Sequence, residues 1–585
     1  MIKRQPASSF ALLSISSLGL VLTLNACDSG HNENTATAGA APVAGGASAH
    51  SGSSAGTGIG AAGAPSGAGA PSGTGGVVGA SGSNAGTGGM PGSSGSAGNA
   101  GAPELGPLPP LVTSAPGAYW KTDTMPTEST ATANVTVNDT VPAQKWDGMG
   151  AAFNEIGWNV LSTPEMQTKA IGLLFSARDG AAFAWGRIPI GASDYAISRY
   201  TLEDIAGADP APDSTESNRP AADPELSMFS LDRDKLKLIP YIKAAQAVKA
   251  DLRFWASPWT PPVWMKTGYK KNSGADTSAN ARKPSYYDGG SMKSDSALLQ
   301  AYAQYYAKFV QAYQDLGIKI ELVSPQNEPG YDQNYPSCLW DKATYASWIG
   351  KYLGPAMMPL GVKIMLGTLS NESTGKDADN AAAALADTAA KSYLTVIGAQ
   401  WGMLDQSKLA ALNSTLPVWA SEHKCGNYPW CTAINDYCPS AYNSSQAPND
   451  QAYAVESWGY IRDAITKVKV TAYNAWNMVL DKNGLGIDTT REWKQDALLV
   501  ADSGKVTPTP AYYVFRHLSQ YVVPGATVVG TTGGDAVAFK NPDGSLVAVM
   551  FNSGAANANY VVAFGAKKFQ FAMPSNGWAT VKYKP

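Results

Sequence analysis

Two short segments carry carboxylates placed where a charge is costly. One is Val323-Ser324-Pro325-Gln326-Asn327-Glu328-Pro329, the other Leu416-Pro417-Val418-Trp419-Ala420-Ser421-Glu422. Each opens as an apolar run that reads as a buried β-strand. A charge at the end of such a run costs free energy unless it is paired or hydrogen-bonded. Two carboxylates at the ends of parallel strands supply what glycosidic bond cleavage needs: a proton donor, and a nucleophile or base. No third group that would activate a water stands with them, which points to the retaining, double-displacement route.

The elements that must position this pair can be counted along the chain. Apolar runs at 148–153, 181–187, 251–257, 319–324, 362–366, 394–401, 416–421 and 470–476 read as eight buried parallel strands. Amphipathic helical stretches separate them, such as 298–316, with apolar and aromatic residues three and four apart. Strand and helix in alternation predict an α/β fold, a (β/α)8 TIM barrel with insertions. An open doubly wound sheet is the alternative, and no Gly-rich phosphate loop follows the first strand to support it. Glu328 then follows the fourth strand and Glu422 the seventh, both at the C-terminal ends where barrel chemistry sits. Beyond the eighth strand, short alternating segments at 527–529, 536–539, 546–551, 560–564 and 578–581 predict an antiparallel β-sandwich. The segment 133–137, before the barrel, is expected to complete it.

The start of the chain reads differently. Lys3 and Arg4 precede an apolar stretch at 10–24, then Leu24-Asn25-Ala26-Cys27, a signal peptide ending in a bacterial lipobox-like sequence. Cys27 would carry the lipid; cleavage of an ordinary signal peptide nearby is the alternative. From there to about residue 110 the chain is Gly, Ala, Ser, Thr and Pro, and it cannot offset its ordering entropy by burial. As a flexible coil it would hold the folded part about 50 Å from its anchor. The expected organisation is therefore a lipoprotein signal peptide at 1–27, a tether at 28–112, N-terminal sandwich strands at 113–147, the barrel at 148–505 and the sandwich at 506–585. The chain would be exported, either as a membrane-anchored lipoprotein on the periplasmic side or cell surface, or secreted. Its membrane contact would be through that anchor alone.

Of 585 residues, 44% are hydrophobic, enough for more than one domain. A net charge of -3 argues against nucleic acid as a partner, because phosphate binding needs clustered Lys and Arg. Sixteen Trp and 27 Tyr are mostly core, but aromatic faces also stack on sugar rings. Five Cys leave four if Cys27 is lipidated: Cys338, Cys425, Cys431 and Cys438. In an exported protein that even set predicts two disulfides with three possible pairings. Cys431 and Cys438 sit close enough to close one loop, which leaves Cys338 with Cys425 across the loops after Glu328 and Glu422. Zinc is disfavoured, because no His stands at ligand spacing around them.

Trp146-Asp147-Gly148-Met149-Gly150, Arg187-Ile188-Pro189-Ile190-Gly191, Ser257-Pro258-Trp259-Thr260-Pro261-Pro262, Gln326-Asn327-Glu328-Pro329, Ser421-Glu422 and Ala475-Trp476-Asn477 occur in one order along the folded part. This ordered set resembles glycoside hydrolase family 30, which includes glucosylceramidases, β-1,6-glucanases and glucuronoxylanases. The resemblance implies a barrel with a side β-sandwich, retention of anomeric configuration, and no metal or other cofactor. It makes Glu328 the general acid/base, whose proton must be held and whose pKa should be raised. Glu422 is the nucleophile, kept ionised by Arg187. Asn327 would bond the sugar 2-hydroxyl. Asp194 and Trp259 match positions that bind the outer hydroxyls of a non-reducing glucosyl ring. Trp476 matches the pocket floor and Trp401 an aromatic on the sixth strand. His423 is either a rim contact or a side chain satisfied by a backbone group.

The expected function is hydrolysis of β-glucosidic bonds, of glucosylceramidase or β-1,6-glucanase type, on a carbohydrate or glycolipid substrate by a monomer. A β-xylanase or other family polysaccharide hydrolase is the nearest alternative. A catalytically dead surface carbohydrate-binding protein is another, and the presence of both Glu speaks against it.

Overall fold

The computed structural model describes residues 107–204, 221–268, 286–370, 375–429, 442, 449–488 and 493–585. The signal peptide, Cys27, nearly all of the tether, Cys431 and Cys438 lie outside them.

Eight parallel strands close into a barrel: Gly148–Ala152, Trp185–Ile190, Arg253–Pro258, Ile320–Val323, Lys363–Leu369, Leu394–Gln400, Val418–Glu422 and Ala472–Asn477. The eighth closes on the first, with Ala472 opposite Gly148 and Asn474 opposite Gly150. All eight expected runs are barrel strands. The second starts later than residue 181, because the buried segment before it bonds back to its helix, with Ala181 N–H donating to Leu173 O and Phe183 N–H to Leu174 O. Ala181, Phe183 and Ala184 are as buried as the strand itself, so burial alone does not mark the boundary.

Period-two alternation sorts the barrel strands. Phe254, Ala256, Ile364, Leu366 and Ala420 face the helices and join the main core. Trp185, Trp255, Leu322, Met365, Val396 and Trp419 point the other way and fill the barrel interior as a separate apolar layer. Two residues further along several of the same strands lie Arg187, Ser257 and Ser421. A polar layer thus sits on top of an apolar one at the C-terminal end of the barrel.

The sandwich is built from one hydrogen-bonded sheet of ten strands. Its central run is Leu111–Ala115, Gly577–Tyr583, Leu546–Asn552, Asp535–Lys540, Thr527–Thr532, Val135–Lys145 and Ala558–Phe564. The segment before the barrel joins it as expected, antiparallel to Thr527–Thr532 and parallel to Ala558–Phe564. Leu546, Ala548 and Met550 line the sandwich's own core, whereas Val547, Val549 and Phe551 face the barrel. The strand is buried on both faces, so it reads as an unbroken apolar run.

The helix Pro510–Ser519 packs into the barrel wall through Phe515, whose ring lies 6.1 Å from that of Tyr473. The sandwich's C-terminal strands begin at Thr527, at the segment 527–529 read from the sequence. His517 on this helix joins the two parts. Its Nδ1 lies 2.8 Å from Thr580 Oγ1 and its Nε2 2.9 Å from Ser114 Oγ, on two adjacent sheet strands.

Candidate active site

The polar layer is organised around Arg187, which is 1% exposed. Its Nε donates to Ser257 Oγ at 3.1 Å, one terminal nitrogen to Glu422 Oε2 at 2.5 Å, and the other to Asn327 Oδ1 at 2.7 Å. One planar fork therefore fixes groups from barrel strands three and seven and from the loop after strand four. The fork lies against three aromatic faces, 4.4 Å from the Trp259 ring centroid, 4.9 Å from Trp255 and 5.2 Å from Trp476. Burial pulls the guanidinium below its ordinary pKa, and the charges of Glu422, Asp194 and Glu328 oppose that shift.

Glu422 reaches the interior because strand seven carries an irregularity. Ala399 pairs with Ala420, but the next residue, Gln400, pairs with Glu422. The extra residue, Ser421, turns its hydroxyl to Gln400 Oε1 at 2.9 Å. A bulge of this kind re-aims a side chain. The second carboxylate oxygen of Glu422 accepts from Trp401 Nε1 at 2.9 Å. Trp401 sits at φ 46, a left-handed backbone that a bulky side chain seldom adopts. Its indole N–H is directed to the carboxylate, a contact beyond the sixth-strand aromatic expected from the sequence.

Glu328 also has a left-handed backbone, at φ 49. It is held there by its N–H to Thr368 O at 2.9 Å and by Tyr331 N–H to its own carbonyl at 3.0 Å. Tyr306, from the helix Ser296–Asp315, donates to Pro325 O at 2.7 Å and supports the same loop. Asn327 Oδ1 accepts from Arg187, from Thr368 Oγ1 at 2.8 Å and, more weakly, from Gln400 Nε2 at 3.4 Å. Three donors on the oxygen fix the amide's orientation and leave Nδ2 as the group to offer a ligand.

Gln400 Nε2 donates to Glu328 Oε1 at 3.1 Å. Asp377 holds the loop beyond the acid, accepting from Gly330 N–H and from Ser370 N–H at 2.6 Å. Burial pushes the Glu328 carboxyl well above its usual pKa, and the charges of Glu422, Asp377 and Asp194 push the same way, while the Gln400 hydrogen bond opposes them. Two acids in one pocket thus have unlike surroundings: Glu422 accepts on both oxygens from an arginine and an indole, and Glu328 is buried among other acids with one amide donor.

The wall is aromatic. Trp259 and Trp476 stack at 5.3 Å between centroids, and Tyr195 meets Trp476 edge-on at 6.1 Å. Trp401, Tyr428 and Trp493 form a second corner, with centroids 5.8–6.3 Å apart. Gln326 Nε2 donates to Trp259 O at 2.6 Å and so ties the Trp259 loop to the Glu328 loop. Asp194, on the loop after strand two, is close enough for its charge to act on Arg187 and Glu328. All the sequence-derived pocket residues (Arg187, Asp194, Trp259, Asn327, Glu328, Trp401, Glu422 and Trp476) converge at this end of the barrel. Gln400, Thr368, Ser421, Asp377, Tyr428 and Trp493 join the site without a sequence signal that marks them.

His423 turns away from the pocket. Its Nδ1 lies 2.6 Å from Tyr473 Oη and its Nε2 3.0 Å from Ser457 Oγ. It is neither a rim contact nor bonded through its ring to a backbone group. Burial, with help from Lys424, pulls its pKa down to about 3. The bridge expected between Cys338 and Cys425 is not formed; both are buried free thiols. They belong to different apolar clusters, Cys338 to the main core and Cys425 to the aromatic wall with Trp259 and Trp476. The Cys338 thiol donates to Leu339 O, and burial pushes its pKa up to about 12.

Comparison with known proteins agrees with this architecture. The glycosyl hydrolase family 30 TIM-barrel domain matches residues 146–522, and the glycosyl hydrolase family 30 beta sandwich domain matches residues 525–581. The chain is 27% identical over 489 residues to putative glucosylceramidase 4 of Caenorhabditis elegans, covering 78% of this chain and 85% of that one. It is 25% identical over 445 residues to the endo-1,6-beta-D-glucanase neg1 of Aspergillus fumigatus, covering 73% and 82%. The crystal structure of SrfJ from Salmonella typhimurium has the same fold, with a TM-score of 0.64 at 21% identity over 81% of this chain and 99% of that one.

Proposed function

The chain belongs to glycoside hydrolase family 30, a family of retaining glycosidases, and from that premise we propose that it hydrolyses β-glucosidic bonds with Glu422 as nucleophile and Glu328 as acid/base. The unlike surroundings of the two acids carry this reading. Both Glu422 oxygens accept from strong donors, at 2.5 Å from Arg187 and 2.9 Å from Trp401, which hold the carboxyl group in one orientation, as attack on the anomeric carbon requires. Glu328 is raised by burial and by neighbouring acids, which favours holding a proton for the leaving oxygen. In the first step Glu422 bonds to the anomeric carbon as Glu328 protonates the departing oxygen. In the second, Glu328 takes a proton from water, which displaces Glu422. Asn327 Nδ2 would donate to the 2-hydroxyl, an interaction that strengthens in the transition state.

Asp194 and the Trp259–Trp476 stack are read as a closed glucosyl subsite, which favours release of glucose over internal cutting of a polymer. A glucosylceramide-like lipid and a β-1,6-glucan both offer such a residue, as the named activities of the two relatives suggest. Cys27 as a lipid anchor, with the tether behind it, would hold the enzyme near substrates at the cell boundary and raise their effective concentration. The test is comparative hydrolysis of an aryl β-glucoside, an aryl β-xyloside and a short β-1,6-glucan. Preference for the glucoside with glucose as the early product is expected. Preference for the xyloside, or early internal cuts in the glucan, would overturn the reading.

A further inference from the structure

Gln400 stands at the end of barrel strand six, has no solvent exposure and bonds on three sides. Its Oε1 accepts from Ser421 Oγ at 2.9 Å, which fixes its amide so that Nε2 faces the acids. That nitrogen lies 3.1 Å from Glu328 Oε1 and 3.4 Å from Asn327 Oδ1. It is the one side-chain donor that reaches the Glu328 carboxyl among the described residues. A donor on a carboxyl oxygen favours the ionised form. Every acid around Glu328 does the opposite: Glu422 from strand seven, Asp377 from the helix Lys376–Ala386, and Asp194 from the loop after strand two. Arg187 from strand two is the opposing cation, and the Cys425 thiol is also within electrostatic reach.

We propose that Gln400 is a positioning residue that makes Glu328 able to give up its proton, with Ser421 as the anchor that aims its amide. This rests on Glu328 being the acid/base. Glu328 must be protonated to release the leaving group and ionised to activate water. A carboxyl crowded by three acids, with no donor, is held in the first state. The Gln400 N–H stabilises the carboxylate that forms when the proton leaves, so both half-reactions remain accessible.

The test is Gln400→Met, which keeps the length and removes the donor, with Ser421→Ala as the milder variant that removes only the anchor. Rates are followed against pH with an aryl glucoside of poor leaving ability, where the acid limits the first step, and with an activated one, where hydrolysis of the glycosyl-enzyme limits. In Gln400→Met the basic limb of kcat/KM for the poor substrate should move up by roughly one pH unit. Turnover of the activated substrate should fall about tenfold, and Ser421→Ala should lie between. Glu328→Gln is run alongside. If it loses the basic limb while the limb of Gln400→Met is unmoved, the role of Gln400 is overturned and that of Glu328 stands. If Glu328→Gln keeps both the limb and the poor substrate's turnover, the reading of Glu328 itself fails. Should Gln400→Met not fold, the limb in Ser421→Ala decides: an upward shift supports the assignment and an unmoved limb overturns it.

Discussion

Arg187 and Glu422 meet at 2.5 Å with the arginine side chain 1% and the glutamate side chain 8% exposed. A buried ion pair adds little net stability, because desolvation offsets most of the attraction, but removing one partner strands the other charge. Arg187→Met should therefore cost about 3–5 kcal/mol of stability and most of the activity. Arg187→Lys should not rescue it, since an ammonium is a point charge and cannot hold Ser257, Glu422 and Asn327 in one plane. Denaturant titration and kcat/KM for an aryl glucoside check this. A lysine variant within a fewfold of wild type would contradict it.

The two glutamates should separate chemically. With Glu422 as the proposed nucleophile, Glu422→Ala should abolish turnover, and added azide should attack from the vacated face to give the α-glycosyl azide. Glu328→Ala should still form the glycosyl-enzyme from substrates with good leaving groups, which need no proton, and azide should then give the β-glycosyl azide. Proton NMR of the azide products distinguishes the two. The same anomer from both variants would remove the basis for assigning the roles.

Why some of this was readable and some was not follows from particular residues. Strands such as Leu394–Gln400 are buried on both faces, so their apolar runs stand out. Glu328, Glu422 and Arg187 are visible because a charge at the end of such a run needs a reason. Gln400 ends a run in the same way, but an amide is a weaker anomaly, and Thr368 and Ser421 are weaker still. The strand Lys567–Met573 is hidden in the sequence behind its two lysines, although Phe569, Phe571 and Met573 alternate inward. The pairing of Cys338 with Cys425 failed because loop order says nothing of which apolar cluster each thiol enters. His423 follows Glu422 in sequence, yet the strand's alternation sends it outward to Tyr473 and Ser457.

Trp401 offers a separation of charge stabilisation from sugar contact. Trp401→Phe keeps an aromatic ring and deletes the N–H that reaches Glu422 Oε1 at 2.9 Å. A hydrogen bond to a carboxylate of this kind is worth about 1.5–3 kcal/mol. The variant should lose roughly ten- to a hundredfold in kcat with little change in KM. Trp259→Ala, which opens the wall beside Trp476, should instead act mainly on KM. Steady-state kinetics of the two variants on one substrate test this, and a Trp401→Phe effect confined to KM would reassign the indole to substrate binding.

The last expectation concerns acid. His423 and His517 are buried, each bonded to two hydroxyl groups, and burial holds each near a pKa of about 3. Unfolded, each would titrate near 6.5. The folded chain therefore binds fewer protons between these values, and the stability each neutral ring supplies is present above pH 6.5 and lost as pH falls towards 3. At pH 4.5 the loss is of the order of 3 kcal/mol for each. Two buried acids run the other way. Burial raises Asp234 to about 6, against the lowering effect of its hydrogen bonds from Tyr200 and Tyr313, and raises Glu203 to about 7, so their contribution is present at low pH and lost as pH rises. Whole-protein melting against pH mixes the two signs, and a variant isolates one. In His517→Gln the acid penalty is gone. Its stability deficit against wild type, measured by denaturant titration, should shrink by about 3 kcal/mol between pH 7 and pH 4.5. Asp234→Asn should show the opposite slope, its deficit growing as pH falls. A constant His517→Gln deficit across that range would mean that His517 is not held neutral at the barrel–sandwich junction.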